Sequence, residues 1–193
     1  MERFQPLIEG LIICSIGYLY ISNLKILSNL YLKSLAPGLL ILKFMTQNLL
    51  TEPILDPQRI IQLIPQKPPF VMVDSLFVYT ELTGKTGFLI PIDNILVEDG
   101  RFSEAGLIEH MAQSMSLHRG YQGFLSGLDK PKTGFIGAIT TLEIKSLPKA
   151  GSKLITNVEI LKEVMGVTLV VAETLNEKGE VVATSEMKTV TVE

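Results

Sequence analysis

The chain has 193 residues, 47% of them hydrophobic, a net charge of -3 and one cysteine. That length buries one ordinary core with an appendage, and an acidic balance without a Lys/Arg cluster excludes a protein that grips nucleic acid by its phosphates. The lone Cys14 and two histidines exclude an internal disulfide and a Cys/His zinc site, and point to a reducing, cytoplasmic setting.

Hydrophobicity is concentrated at the start. Residues 1–50 hold 13 Leu and 7 Ile, and their six charges sum to +2. The run "LIEGLIICSIGYLYISNL" (7–24) approaches membrane-spanning length, but Glu9 interrupts it and Lys25 bounds it. Glu2 offsets Arg3 and no A-x-A cleavage pattern follows, so a secretory signal is not expected. Three readings stay open: an amphipathic membrane-associated extension, a weak anchor, or translated sequence upstream of a natural start at Met45. The expected division is a hydrophobic extension over 1–50 and a folded domain over 51–193. Membrane association follows only if residues 1–44 are made.

"DPQRIIQLIPQ" (56–66) predicts a short helix, capped by Asp56, opened by Pro57 and ended by Pro65 and the Pro68-Pro69 pair. Residues 70–80, rich in Val and Phe, predict a buried strand. Residues 83–91 predict a second, joined through a tight turn near Glu81–Gly84. "DNILVEDGRF" reads as a loop turning at Gly100. Residues 105 to about 123 form the one long helical stretch. Strand-like runs then follow at 134–146, 153–162, 164–176 and 180–192, separated by "LPKAG", "EVMG" and "NEKG". Hairpins around one long helix predict an α+β fold.

On a helical wheel, Ala105, Ala112, Gln113, Ser116 and Gly120 all fall within about 60° of Glu109, opposite Leu107, Met111 and Met115. A solvated face carries long charged side chains, whereas this one is small, so another backbone or a slender ligand is expected against it. A glutamate there is either an ordinary surface residue or a poorly hydrated carboxylate with a raised pKa, suited to proton transfer. His118, next to Arg119 and Gly120, is expected to cap the helix end. His110 is the better functional candidate of the two, set against simple packing. No phosphate loop, nucleophile elbow or dinucleotide fingerprint is present.

Two stretches together carry a resemblance. "LIPQKPPFVMVDSL" (63–76) is similar to the first segment of bacterial 3-hydroxyacyl-acyl carrier protein dehydratases, Leu-Pro-His-Arg-x-Pro-Phe before a strand with Val-Asp. "FSEAGLIEHMAQS" (102–114) resembles their central helix, Phe-Pro-Gly-x-x-x-x-Glu-x-Met-Ala-Gln. The likeness spans about residues 54–192. It implies a hotdog fold, a long helix wrapped by an antiparallel sheet of about five to six strands. It also implies loss of water from a 3-hydroxyacyl thioester tethered by phosphopantetheine to acyl carrier protein, with no metal or redox cofactor.

Residue by residue, Glu109 falls on the catalytic carboxylate, Gln113 on the amide one turn later, and Pro69-Phe70 on their counterparts. Gly106 lies at the helix start, whose N–H groups polarise the thioester carbonyl. Gln66 falls where the resemblance places a histidine acting as proton-transfer partner, and Lys67 takes the basic position after it. "SEAG" (103–106) replaces Pro-Gly. The resemblance implies that the two reacting groups come from opposite subunits of a dimer. An amide exchanges no proton at physiological pH, so three expectations stand. The chain is a dehydratase run by Glu109, a non-catalytic module binding acyl-acyl carrier protein, or the partner of a histidine-bearing subunit in a heterodimer. Thioester hydrolysis, the fold's other common chemistry, is a further alternative that this first segment disfavours.

Overall fold

The computed structural model describes residues 47–192. The readings of residues 7–24 and of a start at Met45 lie outside the described residues. Among the described residues no helix is long and apolar enough to cross a membrane.

Helix α1 (Pro57–Leu63) begins as expected, Asp56 accepting a hydrogen bond from the Gln58 N–H at 3.0 Å. Strands β1 (Ser75–Tyr79) and β2 (Thr83–Leu89) form a hairpin closed by Thr80 N–H donating to Thr83 O. A small ribbon of β3 (Val97–Glu98) and β4 (Arg101–Phe102) turns at Asp99 and Gly100, both at positive φ, where a plain loop was expected. The long helix α2 (Glu104–Leu125) follows. Then come β5 (Thr133–Ile144), β6 (Lys153–Val164), β7 (Val167–Leu175) and β8 (Val181–Val192). The main sheet is antiparallel, in the order β1-β2-β6-β7-β8-β5, and the fold is a hotdog: one long helix packed in the curve of six strands.

The bulky stripe of α2 makes that packing. Leu107, Met111 and Met115 are buried against Phe88, Leu154, Val170 and Met187 of the sheet. A second apolar cluster joins α1 and β1 to the outer side of α2 through Ile60, Leu63, Leu76, Leu117 and Tyr121.

The two sheet edges differ. The β1 edge is covered by residues 49–54, where Leu49 N–H donates to Tyr79 O and Ile54 exchanges both backbone bonds with Leu76. These contacts begin ahead of the expected boundary at residue 51. Among the described residues nothing pairs with the outer edge of β5, a strand of 12 residues exposed over most of its length.

The strand expected over 70–80 is shorter than its composition suggests. Residues 70–74 lie across α2, and the backbone of Met72 bonds to helix side chains: its N–H donates to Gln113 Oε1 (2.7 Å) and its C=O accepts from His110 (2.6 Å). The Val-Asp pair has a structural use, since Asp74 accepts from the Leu89 N–H at 2.6 Å and the Ser75 hydroxyl at 2.8 Å.

Candidate functional site

The small face of α2 receives another backbone, as its composition suggests. A Cβ on Gly120 would lie 1.6 Å from Leu63 O, so only glycine lets the end of α1 sit here. Lys67 Nζ donates to Ile61 O (2.7 Å) and Ile64 O (3.0 Å), closing the carbonyl end of α1. With α1 seated on Gly120, Gln66 and Glu109 border one cavity of about 920 Å³ between α2 and the sheet. Both residues therefore line one cavity of a single chain.

Glu109 is half-buried, and its Oε1 accepts from Gln113 Nε2 at 2.6 Å. Gln113 is fully buried. Its Nε2 also donates to Phe70 O (2.7 Å), and its Oε1 accepts from Met72 N–H. Every polar atom of this amide is occupied inside the protein, holding Glu109 and the backbone of Phe70 and Met72 in place. Gln66 Oε1 is buried and has no hydrogen-bond partner among the described residues. The rest of the lining mixes small, polar and apolar groups, with Ala112, Met115 and Ser116 on the helix and Gly134, Phe135 and Thr189 on the sheet. Arg119 joins them, paired with Glu163 and donating to Thr168 Oγ1 at 2.9 Å.

Three further residues that the resemblance singles out lie off the cavity lining. Gly106 lies off the cavity: its N–H donates to the capping Ser103 Oγ at 3.3 Å, and a Cβ there would strike the Phe102 ring at 2.5 Å. Its role is close packing at the helix start. Pro69 and Phe70 also lie outside the lining and are exposed, Pro69 joined to Pro68 by a cis bond.

Neither histidine reaches the cavity. His110 is fully buried and stacks on Phe88; because Met72 O can only accept, Nδ1 carries the proton and Nε2 accepts from Thr156 Oγ1 at 2.7 Å. Thr156 in turn pairs with Thr174 at 2.8 Å. Burial lowers the His110 pKa to about 4, partly offset by the Met72 carbonyl and the charge of Asp74. His118 is also no cap, since α2 runs on to Leu125 and leaves it in the interior. Its Nε2–H donates to Thr80 O at 2.9 Å, its Nδ1 has no partner among the described residues, and burial again lowers its pKa to about 4.

This arrangement offers one carboxylate with a fixed oxygen, one amide with an unpaired acceptor, and a cavity roomy enough for an extended acyl group. Sequence reasoning missed the Arg119–Glu163 pair on the cavity wall, which links a helix to a hairpin with no local signal.

Comparison with known proteins agrees with this fold. Residues 58–193 match the family model described as ApeP-like, ApeP dehydratase. No curated protein matches the chain. Among solved structures, the dehydratase heterocomplex ApeI:P from Xenorhabdus doucetiae is similar in fold, with a TM-score of 0.64 at 16% identity, over 69% of this chain and 91% of that one. The protein smu.793 from Streptococcus mutans UA159, bound to acetyl CoA, superposes with a TM-score of 0.52 at 12% identity, over 67% of this chain and 95% of that one. An uncharacterized protein from Pyrococcus horikoshii gives 0.51 at 17%, over 68% and 92%.

Proposed function

This chain belongs to the ApeP-like dehydratase family, and we propose that it removes water from 3-hydroxyacyl thioesters carried by acyl carrier protein, with Glu109 moving both protons. The observation that carries this reading is a carboxylate pinned at one oxygen by Gln113 beside a cavity it shares with Gln66. As a carboxylate, Glu109 removes the proton α to the thioester carbonyl. The electron pair released forms the Cα–Cβ double bond as the Cβ–O bond breaks. Glu109, now a neutral acid, returns its proton to the departing hydroxyl, which leaves as water. The elimination needs no external electron acceptor, so the proposal calls for no redox cofactor.

Gln66 exchanges no proton in this scheme; it holds the substrate. Its buried, unpaired Oε1 is an acceptor without a donor, a state that costs about 1–3 kcal/mol and that a substrate hydroxyl would relieve. Losing a histidine at that position slows proton transfer by about 10²–10⁴ relative to a two-group site, and leaves binding intact.

The experiment incubates the full-length chain with 3-hydroxyacyl-acyl carrier protein and follows the trans-2-enoyl product and any free acid by mass. Glu109→Gln is expected to lower the rate by about 10²–10⁴ while binding persists, and Gln66→His to raise it. Binding without product in the wild-type protein would sink the catalytic reading in favour of a non-catalytic acyl-binding module. Free acid as the main product would make it a thioesterase.

The free edge of β5 favours a second reading, in which this chain assembles with another hotdog subunit, its own copy or a histidine-bearing one. Thr133 to Ile136 of that strand line the cavity, so a partner strand on the edge would also wall the site. Product that forms only after a histidine-bearing hotdog subunit is added would support the heterodimer.

A further inference from the structure

On α2 the lining of the Glu109 cavity begins at Glu109 and continues only toward the C-terminal end, through Ala112, Ser116 and Arg119. Glu109 and Arg119 are roughly 15 Å apart along the axis at ~1.5 Å per residue. The sheet changes character in one step on the face it turns to this helix. Ile160, Val170 and Met187 form a cross-strand row within the core. The next row turned the same way is Glu163, Thr168 and Thr189, in register across the same three strands. A bulge between Ile160 and Lys162 carries β6 from one row to the other. Arg119 meets the polar row from the helix. Its Nη2 pairs with Glu163 and donates to Thr168 Oγ1, and its Nη1 donates to Gln122 Oε1 at 2.8 Å. These partners take three of the five guanidinium N–H donors. With 25% of its side chain exposed, Arg119 has already given up most of its water and depends on them.

We propose that Arg119, Glu163 and Thr189 form a polar end wall that selects against long saturated acyl tails. This rests on reading the Glu109 cavity as the site of an acyl thioester. With the reacting carbons beside Glu109, the tail runs past Ala112, Met115 and Ser116, where small and apolar groups leave it room. Each methylene placed there leaves water and strengthens binding. At Arg119 the balance reverses. A methyl end pressed on the ion pair strips its remaining water and returns no hydrogen bond, so burial there costs more than it yields. A tail that stops short avoids that cost. A tail that reaches the pair avoids it only by carrying an oxygen, which accepts from the guanidinium or from the Thr189 hydroxyl. Arg119 is therefore a specificity residue, remote from the bonds that change.

The test measures kcat/KM of the full-length chain for three acyl groups on acyl carrier protein: 3-hydroxydecanoyl, 3-hydroxyhexadecanoyl, and the latter with a hydroxyl on its terminal carbon. Extended, the decanoyl tail ends short of the Glu109–Arg119 span and the hexadecanoyl tail covers it. The long saturated tail is expected to be about tenfold poorer than the decanoyl one, and the terminal hydroxyl to restore most of the loss. Arg119→Met keeps an apolar stem, and Glu163, 53% exposed, can then turn to water. That variant should shift the long-to-short ratio about tenfold toward the long tail and remove the benefit of the hydroxyl. Thr189→Val, a change of similar shape, should move both the same way but less; it decides the matter if urea denaturation shows that Arg119→Met does not fold. Equal kcat/KM for the three substrates would overturn the proposal. So would a long tail rejected with or without its hydroxyl, the mark of a steric wall, or a ratio unmoved by either variant. Fluorescence anisotropy of the same three carriers on Glu109→Gln separates the two readings. A preference by tail end there, with no enoyl product from wild type, would leave the end wall standing and defeat the dehydratase reading. Turnover without any preference would do the reverse.

Discussion

Gln113 Nε2 donates to Glu109 Oε1 at 2.6 Å, one helical turn away, and the same amide group donates to Phe70 O at 2.7 Å. One buried side chain therefore ties the candidate acid/base to the segment that carries Gln66. Replacing it with an apolar side chain of similar length strands the Met72 N–H and the Phe70 carbonyl. Gln113→Met is expected to destabilise the fold by about 2–4 kcal/mol, measured by urea denaturation. In the folded fraction, activity should fall further than substrate binding, because Glu109 loses its fixed rotamer. A variant as stable as wild-type would show that these bonds contribute nothing.

The Gly120–Leu63 contact gives a steric prediction. With a Cβ 1.6 Å from a backbone oxygen, Gly120→Ala forces α1 away from α2. The expected loss is about 3 kcal/mol or more, with displacement of Gln66, which follows α1 by three residues. Denaturation reads the first effect; weaker binding of the carrier-bound substrate reads the second.

His110 and His118 make stability depend on pH. Each has a pKa of about 4 in the fold against 6.5 unperturbed, both lowered chiefly by burial. Between those values the unfolded chain binds more protons than the native one, so stability falls as pH drops and is fully present above about pH 6.5. From pH 7.5 to 5 the loss should be roughly 2 kcal/mol for each histidine. Thermal melts across that range check it, and a melting temperature that holds constant would contradict the buried neutral state of both rings.

Met165 occupies the first position of the two-residue turn between β6 and β7, at φ 52°, followed by Gly166 at φ 78°, with its side chain 97% exposed. A turn with two positive φ values favours Asn-Gly, and the exposed methionine has no packing to lose. Met165→Asn should raise stability by about 0.5–1 kcal/mol, visible as a higher melting temperature. An unchanged or lower value would mean that Met165 makes a contact beyond the described chain.

Much of this was legible beforehand because its causes are local. Asp56 ahead of Pro57 marks a helix start wherever the chain goes, and the turn residues around 153–162 and 164–176 mark out two strands, which the structure places at Lys153–Val164 and Val167–Leu175. The small residues around Glu109 and Gly120 signalled a close neighbour, though not that it would be the carbonyl of Leu63. Residues 70–72 misled because an apolar run ahead of a strand reads as part of it, while the backbone of Phe70 and Met72 bonds to Gln113 and His110 on a helix about 40 residues later. His118 misled because Arg119-Gly120 resembles a helix end, and the glycine there serves packing instead.

The sequence by itself determined the order of the two helices and the six strands of the main sheet, the face of the long helix that stays small, and the carboxylate at its centre. These follow from periodicity and capping over a few residues. Only the tertiary structure decided which polar groups are spent and which are free. His110 is consumed by Thr156 and Met72, Gln113 by Phe70, Met72 and Glu109, and Gly106 by Ser103, leaving Glu109 and Gln66 on a cavity. The reason is that a buried donor or acceptor must find a partner in three dimensions. Most of the partners here are far away in the chain, where no local pattern can name them.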